Sequence, residues 1–296
     1  MRLMRLRCIV HALACLVAAS SAARAQADAS RVTVEHRIAI GRGMAFDDAR
    51  RVALEEALAE AVRRVVGTKV DAVQQSITTE SGKLEERFLS VGQSGASGRV
   101  VDYTVLSERL DQDSSARGGP VAYLTLRVDA HVAPERGLAD AGFRVNLQLN
   151  GQLFLDRGTP QASDEIVATV NATQDGYVTI FGIADDSVLV LLPNAYAKLN
   201  AVRGGEAFAF PSPDQRKRLG IVVNAQVPPG RQKTTEMYVV VATRRPIPFE
   251  GPKGTQAGGV ATVRGTLAAL NRWLVNIPLN ERAVAYAAYD VRRQSP

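Results

Sequence analysis

The sequence has little of the chemistry from which most catalytic sites are built. Its 296 residues include two cysteines, three histidines and one tryptophan, and aromatic residues make up 5% of the chain. Both cysteines, Cys8 and Cys15, lie near the start, so the rest of the chain can form neither a disulfide nor a thiolate site. The fold must therefore be stabilised by its hydrophobic core, and the length is enough for one large or two ordinary domains.

The N-terminal segment has the pattern of a secretory signal peptide. Three arginines (Arg2, Arg5 and Arg7) precede an apolar run from Cys8 to Ala19, and small residues ending in Ala-x-Ala follow it. The run is shorter than the roughly 20 residues that span a bilayer. We therefore expect residues 1–27 to be cleaved and the protein to be exported to the periplasm or secreted.

A lipoprotein is the alternative, because Leu13-Ala14-Cys15 resembles a lipidation box that would leave Cys15 as the mature N-terminus. The apolar run continues beyond Cys15, where a lipoprotein normally turns polar, so soluble export is preferred. Export would remove four of the 36 Lys and Arg residues and leave a charge near +2 against 30 Asp and Glu residues. This charge does not predict nucleic-acid binding, and no cofactor and no later membrane span is predicted.

Residues 28–137 show the pattern of a small α+β domain. Residues 31–40 alternate as a strand, and residues 46–67 form an amphipathic helix with Asp47 or Asp48 as N-cap and Gly67 as its end. A weaker helix is predicted over 83–91. Two alternating runs, Val100 to Asp111 and Val121 to Val132, are typical of a hairpin. The expected domain is a strand, a long helix and a hairpin, with the helix packed on an antiparallel sheet.

The residues that characterise this region are Gly41, Gly43, Ala49-Arg50, Ala53-Leu54, Ala57, Ala61-Val62, Gly67, Val70, Val101 and Tyr103. In these residues the region resembles the N-terminal domain of flagellar assembly protein T and related bacterial envelope proteins. The resemblance implies an assembly role at the cell envelope, in a flagellar or another surface structure.

After a short linker at 134–141, residues 138–296 are predicted to be mostly β. The candidate strands are 143–149, 165–172, 177–183, 188–192, 221–225 and 237–242, followed by a helix carrying Leu267, Leu270, Trp273 and Leu274 and a last strand over 283–291. Gly and Pro separate the strands at spacings typical of a sandwich. The predicted second domain is an antiparallel β-sandwich with one C-terminal helix.

The residues that characterise this second region are Asp175-Gly176-Tyr177-Val178, Ile180-Phe181, Asp185, Val190, Pro193-Asn194, Val239-Val240 and Ala242-Thr243. Through them, residues 143–291 resemble the bacterial domain of unknown function 4384. The resemblance implies an accessory or recognition role rather than chemistry of its own. We interpret Asp175, Gly176, Tyr177, Phe181, Asp185, Pro193, Asn194 and Trp273 as a structural signature.

The signature stretch 175–194 is apolar on both faces of a predicted hairpin. Tyr177, Phe181 and Ile183 alternate with Val178 and Ile180, which is typical of a central strand covered on both sides. We expect a second sheet to cover one face and the helix over 267–274 to cover the other.

Candidate reactive groups are few. His36 and His131 are too isolated to predict a zinc site. Asp185-Asp186 could be a carboxylate pair, but between two apolar runs a turn is the better interpretation. Residues 92–95 lack the spacing of a nucleophile elbow. We therefore expect no enzymatic activity and no metal, and a hydrolase with a hidden site is a weak alternative.

Basic residues are concentrated in the second region. Residues 28–137 carry 15 basic and 17 acidic side chains, whereas residues 138–296 carry 17 and 13. Candidate contacts to an anionic partner are Arg216, Lys217, Arg218, Arg231, Lys233, Arg244 and Arg245. The leading hypothesis is an envelope accessory protein that binds a protein partner. The alternative is recognition of a cell-wall polymer such as peptidoglycan, or of anionic lipid, through these basic residues.

Overall fold

The computed structural model describes residues 29–41, 43–66, 98–113, 121–184, 187–198, 200–251, 253–255 and 261–294. The helix predicted over 83–91 lies outside these residues. The first part of the chain forms a three-stranded sheet with one α-helix. The second part forms two further sheets with two α-helices.

The first part contains β1 (Ser30–Ile40), α1 (Phe46–Val66), β2 (Gly98–Asp113) and β3 (Val121–Pro134). The sheet order is β1-β3-β2, and both pairs are antiparallel. The predicted strand, long helix and hairpin are therefore confirmed. Among the described strands, β3 lies at the centre of this sheet, and β1 and β2 are its two edges.

The helix α1 packs its small-residue face on the sheet. Its buried residues are Ala49, Ala53, Leu54, Ala57, Leu58, Ala61 and Val62. Because alanine carries only a methyl group, the helix can approach the strands closely. The N-cap differs from the prediction. The helix begins at Phe46, so Asp47 and Asp48 lie in its first turn, where their negative charges interact favourably with the helix dipole.

The second part contains eleven described strands, two α-helices and one 3-10 turn. The strands are β4 (Val145–Leu149), β5 (Leu153–Asp156), β6 (Ala168–Ala172), β7 (Gly176–Ala184), β8 (Ser187–Leu192), β9 (Ala201–Val202), β10 (Ala207–Phe210), β11 (Lys233–Thr243), β12 (Lys253–Thr255), β13 (Ala261–Thr266) and β14 (Arg282–Arg293). The helices are α2 (Pro213–Leu219) and α3 (Leu267–Val275), and the 3-10 turn is Leu279–Glu281.

These strands form two sheets. The larger has the order β12-β13-β8-β7-β11-β14-β5, with β9 also paired to β7, and the smaller has the order β10-β6-β4. Only the β14–β5 pair is parallel among the described strands. The protein is thus an α+β chain with mainly antiparallel sheets, as expected, while the more specific description as a β-sandwich stays a prediction.

The strand β7 is covered on both faces, which confirms the prediction from its apolar pattern. Val178 and Ile180 belong to a core that includes Val170 of the smaller sheet. Phe181 and Ile183 belong to a second core that includes three leucines of α3. Alternate residues of one strand thus serve two separate cores.

The predicted strand over 221–225 is wrong. Its apolar residues Ile221 and Ala225 are buried, but only one isolated bridge, Glu165 to Asn224, joins this segment to another. The alternation therefore records burial of a loop and not pairing in a sheet. The helix α2 was not predicted, although the sequence carries its signal: Ser212 and Gln215 form a capping box and a proline follows the cap.

Candidate functional site

The Asp-Gly pair of the signature sets the spacing between neighbouring segments. A carboxylate oxygen of Asp175 accepts a hydrogen bond from the backbone N–H of Gly204 at 2.8 Å. A Cβ atom on Gly176 would lie 2.7 Å from the carbonyl oxygen of Thr243, so only glycine allows β7 to approach β11 this closely at that point. Both residues therefore act inside the fold.

Asn194 holds the turn that follows β8. Its Nδ2 donates to the carbonyl oxygen of Leu191 at 2.8 Å, and its Oδ1 accepts from the backbone N–H groups of Tyr196 and Ala197 at 2.9 and 2.8 Å. The Leu192–Pro193 peptide before it is cis. All three hydrogen bonds are local, so the amide organises the turn.

Two aromatic members of the signature, Phe181 and Trp273, pack with Phe249, which lies outside the signature. The rings of Phe181, Phe249 and Trp273 lie edge to face, with centroid distances of 5.2, 5.5 and 5.8 Å. The indole N–H of Trp273 donates to the carbonyl oxygen of Pro248 at 3.0 Å. Tyr177 pairs with Thr243 in the sheet, whereas Asp185 lies outside the described residues. The described members thus have packing and hydrogen-bond partners within the fold.

The seven predicted basic residues do not meet in one place. Arg231 and Lys233 lie at the start of β11, whereas Arg244 and Arg245 follow its end. Eleven residues of extended strand separate the two pairs by roughly 35 Å. The third group (Arg216, Lys217 and Arg218) is carried by α2. Although these residues are close in sequence, they therefore do not form one basic face.

Several of these arginines already have partners. Arg216 contacts both carboxylate oxygens of Glu165 at 3.1 Å. Arg244 pairs with Asp140 and lies over the ring of Phe143 at 4.6 Å. Arg218 has a looser contact with Asp214, at 3.5 Å between two exposed side chains. The prediction of an anionic partner is not tested by these contacts.

A cleft of about 400 Å³ lies beside α2. Its lining residues are Leu192, Asn200, Ala201, Val202, Arg203, Glu206, Ala207, Phe208, Ala209, Ser212 and Gln215. Clefts that bind small molecules in proteins usually have volumes of about 300–1,000 Å³. Sequence reasoning did not find this site, because residues from β8, β9, β10 and α2 meet there only after folding.

Clustered metal ligands are absent from the part of the chain that the structure describes: no three His, Cys, Asp or Glu side chains come together. His131 lies 3.5 Å from a carboxylate oxygen of Asp102, which also contacts Arg272 at 3.7 Å.

Within the described ranges, no helix has the length and apolar character needed to cross a bilayer.

Three buried charged side chains meet between the two parts of the chain. Glu135, just after β3, accepts a hydrogen bond from Arg99 of β2 at 2.7 Å and another from Arg282 of β14. Burial opposes ionisation of this carboxyl, but the two guanidinium groups outweigh it and hold the pKa of Glu135 below its ordinary value of 4.5. Below, these three residues are called the junction triad.

Apolar and backbone contacts surround the junction triad. Val101, Ala133 and Val275 form a small buried cluster that joins β2 and β3 to α3. Arg282 also donates to the carbonyl oxygen of Ile277 at 2.6 Å. The start of β2 is therefore held against the end of α3 by both charged and apolar contacts.

Comparison with known proteins supports one of the two resemblances. Residues 161–246 match the model of a family described as Domain of unknown function (DUF4384). The matched segment is narrower than the predicted 143–291. It runs from the loop before β6 to just after β11, so it includes β7, α2 and every residue of the cleft. No curated protein and no solved structure matches the chain.

Proposed function

We propose that this chain is an exported cell-envelope accessory protein that binds a protein partner through the outer edge of β2. The observation that carries this proposal is the exposure of two leucines on that strand. Leu106 and Leu110 are 51% and 60% exposed, and β2 is an edge of its sheet. Long edge strands with exposed apolar residues are sites where another chain can add a strand.

The edge is well placed to receive a partner. The register shift between Val105 and Ser107 leaves Leu106 without a paired residue in β3. Arg50 of α1 contacts Glu108 at 2.8 Å, so this part of β2 is tied to the helix on its other side. A strand already held in position loses less conformational freedom on binding than a free segment would.

The junction triad extends this argument to the whole chain. Because it buries charges from both parts, the edge of β2 keeps a defined position relative to the second part.

The N-terminal signal pattern supports export, and the resemblance to flagellar assembly protein T supports a role in a flagellar or another surface structure. We propose that the chain has no catalytic activity of its own. Turnover of esterase, peptidase or glycosidase substrates by the purified protein would contradict this.

The test is chemical cross-linking in the periplasm, followed by isolation of the tagged chain. Wild type should recover a stoichiometric protein partner, and the double substitution Leu106→Asp with Leu110→Asp should lose it. The matched control is Leu138→Asp, because Leu138 is 86% exposed and lies away from β2 in the linker. Equal recovery with all three proteins would contradict the proposal.

A second candidate function is recognition of an anionic envelope component by α2. Lys217 and Arg218 are exposed on this helix, next to the cleft. Purified peptidoglycan and vesicles containing anionic lipid are the probes, and co-sedimentation should weaken with added salt. Replacing Arg216, Lys217 and Arg218 by Ala should abolish it, whereas Lys233→Ala, on β11, should not. Unchanged sedimentation of the triple variant would overturn this candidate.

A further inference from the structure

The cleft beside α2 is open to solvent and is lined by both apolar and polar residues. All of its lining residues lie between Leu192 and Gln215, inside the segment that matches the family. The matched segment thus builds the whole cleft by itself. This property does not depend on β2 or on a protein partner.

One wall of the cleft is apolar. Phe208, on β10, is half-buried, and Leu192 and Val202 lie beside it in the lining. An aromatic ring with aliphatic neighbours can contact the C–H face of a ligand, and this contact removes apolar surface from water.

Polar groups of the cleft include the side-chain amides of Asn200 and Gln215. Gln215 uses its Oε1 to accept from the backbone N–H of Ser212 at 2.8 Å, so its orientation is fixed. Its Nε2 has no acceptor among the described residues. The backbone oxygen of Asn200 accepts from Val178 at 2.7 Å, while its side-chain amide has no partner in the described part of the chain. Donors and acceptors are thus available to a ligand.

The charges of the cleft argue against an ionic ligand. A guanidinium nitrogen of Arg203 lies 3.8 Å from a carboxylate oxygen of Glu206, and the two side chains are 80% and 67% exposed. An anion next to Arg203 would also meet Glu206, and a cation next to Glu206 would meet Arg203. The pair instead offers both a donor and an acceptor without net charge.

From these features we propose that the cleft binds a neutral sugar unit of a glycan. A pyranose ring has an apolar C–H face for Phe208 and a rim of hydroxyl groups that can both donate and accept. Asn200, Gln215, Arg203 and Glu206 supply the complementary groups. The volume of about 400 Å³ accommodates one or two such units. The proposal differs from the second candidate above, which requires an anion and the cations of α2.

The test is isothermal titration of the full chain with chitotriose and maltotriose at millimolar concentration. Asn200→Ala and Phe208→Ala should each weaken binding about tenfold, which corresponds to one hydrogen bond or one apolar contact. Gln215→Glu is the sharper variant, because a carboxylate keeps the acceptor for Ser212 and preserves the capping box but removes the amide donors. It too should weaken binding about tenfold. Arg218→Ala, on the same helix outside the lining, should bind as wild type does.

Two results of the glycan titration would overturn the proposal. One is the absence of binding to either glycan by wild-type protein whose thermal unfolding is cooperative. The other is glycan binding that none of the three cleft variants changes. A parallel titration with inorganic phosphate separates this site from the second candidate, since phosphate binding that displaces the glycan would assign the cleft to anions. Loss of the cross-linked partner in the β2 variant does not depend on any of these outcomes.

Discussion

Arg282 donates a hydrogen bond to the carboxylate of Glu135, from which it is separated by 147 residues of sequence. The same carboxylate oxygen accepts from Arg99, so one buried acid is shared by two buried arginines. Each residue belongs to a different segment: β2, the start of the linker, and β14. The stability of the junction between the two parts therefore depends on the negative charge of Glu135.

Replacing Glu135 by Gln should lower the free energy of unfolding by about 3–5 kcal/mol, because two buried guanidinium groups would lose their counter-charge. Urea unfolding followed by circular dichroism measures the change. The control is Glu55→Gln, which removes the exposed ion pair between Glu55 and Arg51 on α1, whose charged atoms lie 3.3 Å apart. It should lower the free energy of unfolding by no more than about 0.5 kcal/mol. A cost below about 1 kcal/mol for the Glu135 substitution would contradict a structural role for the triad.

The contribution of Glu135 should also depend on pH. Its pKa is lower in the folded than in the unfolded protein, so its stabilisation is complete above the ordinary value of 4.5 and is lost as the pH falls through the folded value. The difference in unfolding free energy between wild type and Glu135→Gln should therefore shrink as the pH falls below 4.5. Other carboxyls with lowered pKa, such as Asp156, are present in both proteins and cancel. A difference that stays constant would contradict the prediction.

Phe181→Ala should destabilise the protein by about 3–5 kcal/mol, because the ring is fully buried between β7 and α3 and its loss leaves a cavity. Trp273, the single tryptophan, contacts that ring, so its fluorescence reports on the same site. Phe46→Ala, at a side chain 44% exposed, should cost clearly less. Equal losses from the two substitutions would show that burial between β7 and α3 is not what stabilises this region.

Gly176→Ala should destabilise by about 1–3 kcal/mol, since the new methyl group would meet the backbone oxygen of Thr243 and push β7 from β11. Gly41 gives the matched control, because a Cβ there has nothing within 4 Å. Its replacement by Ala should be neutral or slightly stabilising, since alanine reduces the freedom of the unfolded chain. Thermal unfolding of the two variants measures both signs, and a neutral Gly176→Ala would contradict the close approach.

Local patterns predicted the elements whose residues face a core in regular alternation. The helix α1 and the strand β7 were predicted because burial on one face of a helix, or on both faces of a strand, produces a period that the sequence displays. The strand over 221–225 was predicted for the same reason and was wrong, because a buried loop can show the same alternation. The short helix α2 was missed because its seven residues bury none of their side chains.

The sequence by itself determined the α+β class, the main strands and helices and the family resemblance of the second part, since these follow from local periodicity and short motifs. Only the tertiary structure decided which charges meet. It placed Lys233 and Arg244 at opposite ends of one strand, brought Glu135 to Arg282, and assembled the cleft from β8, β9, β10 and α2. The physical reason is that pairing between distant residues depends on strand order and register, which are set by the packing of the whole chain.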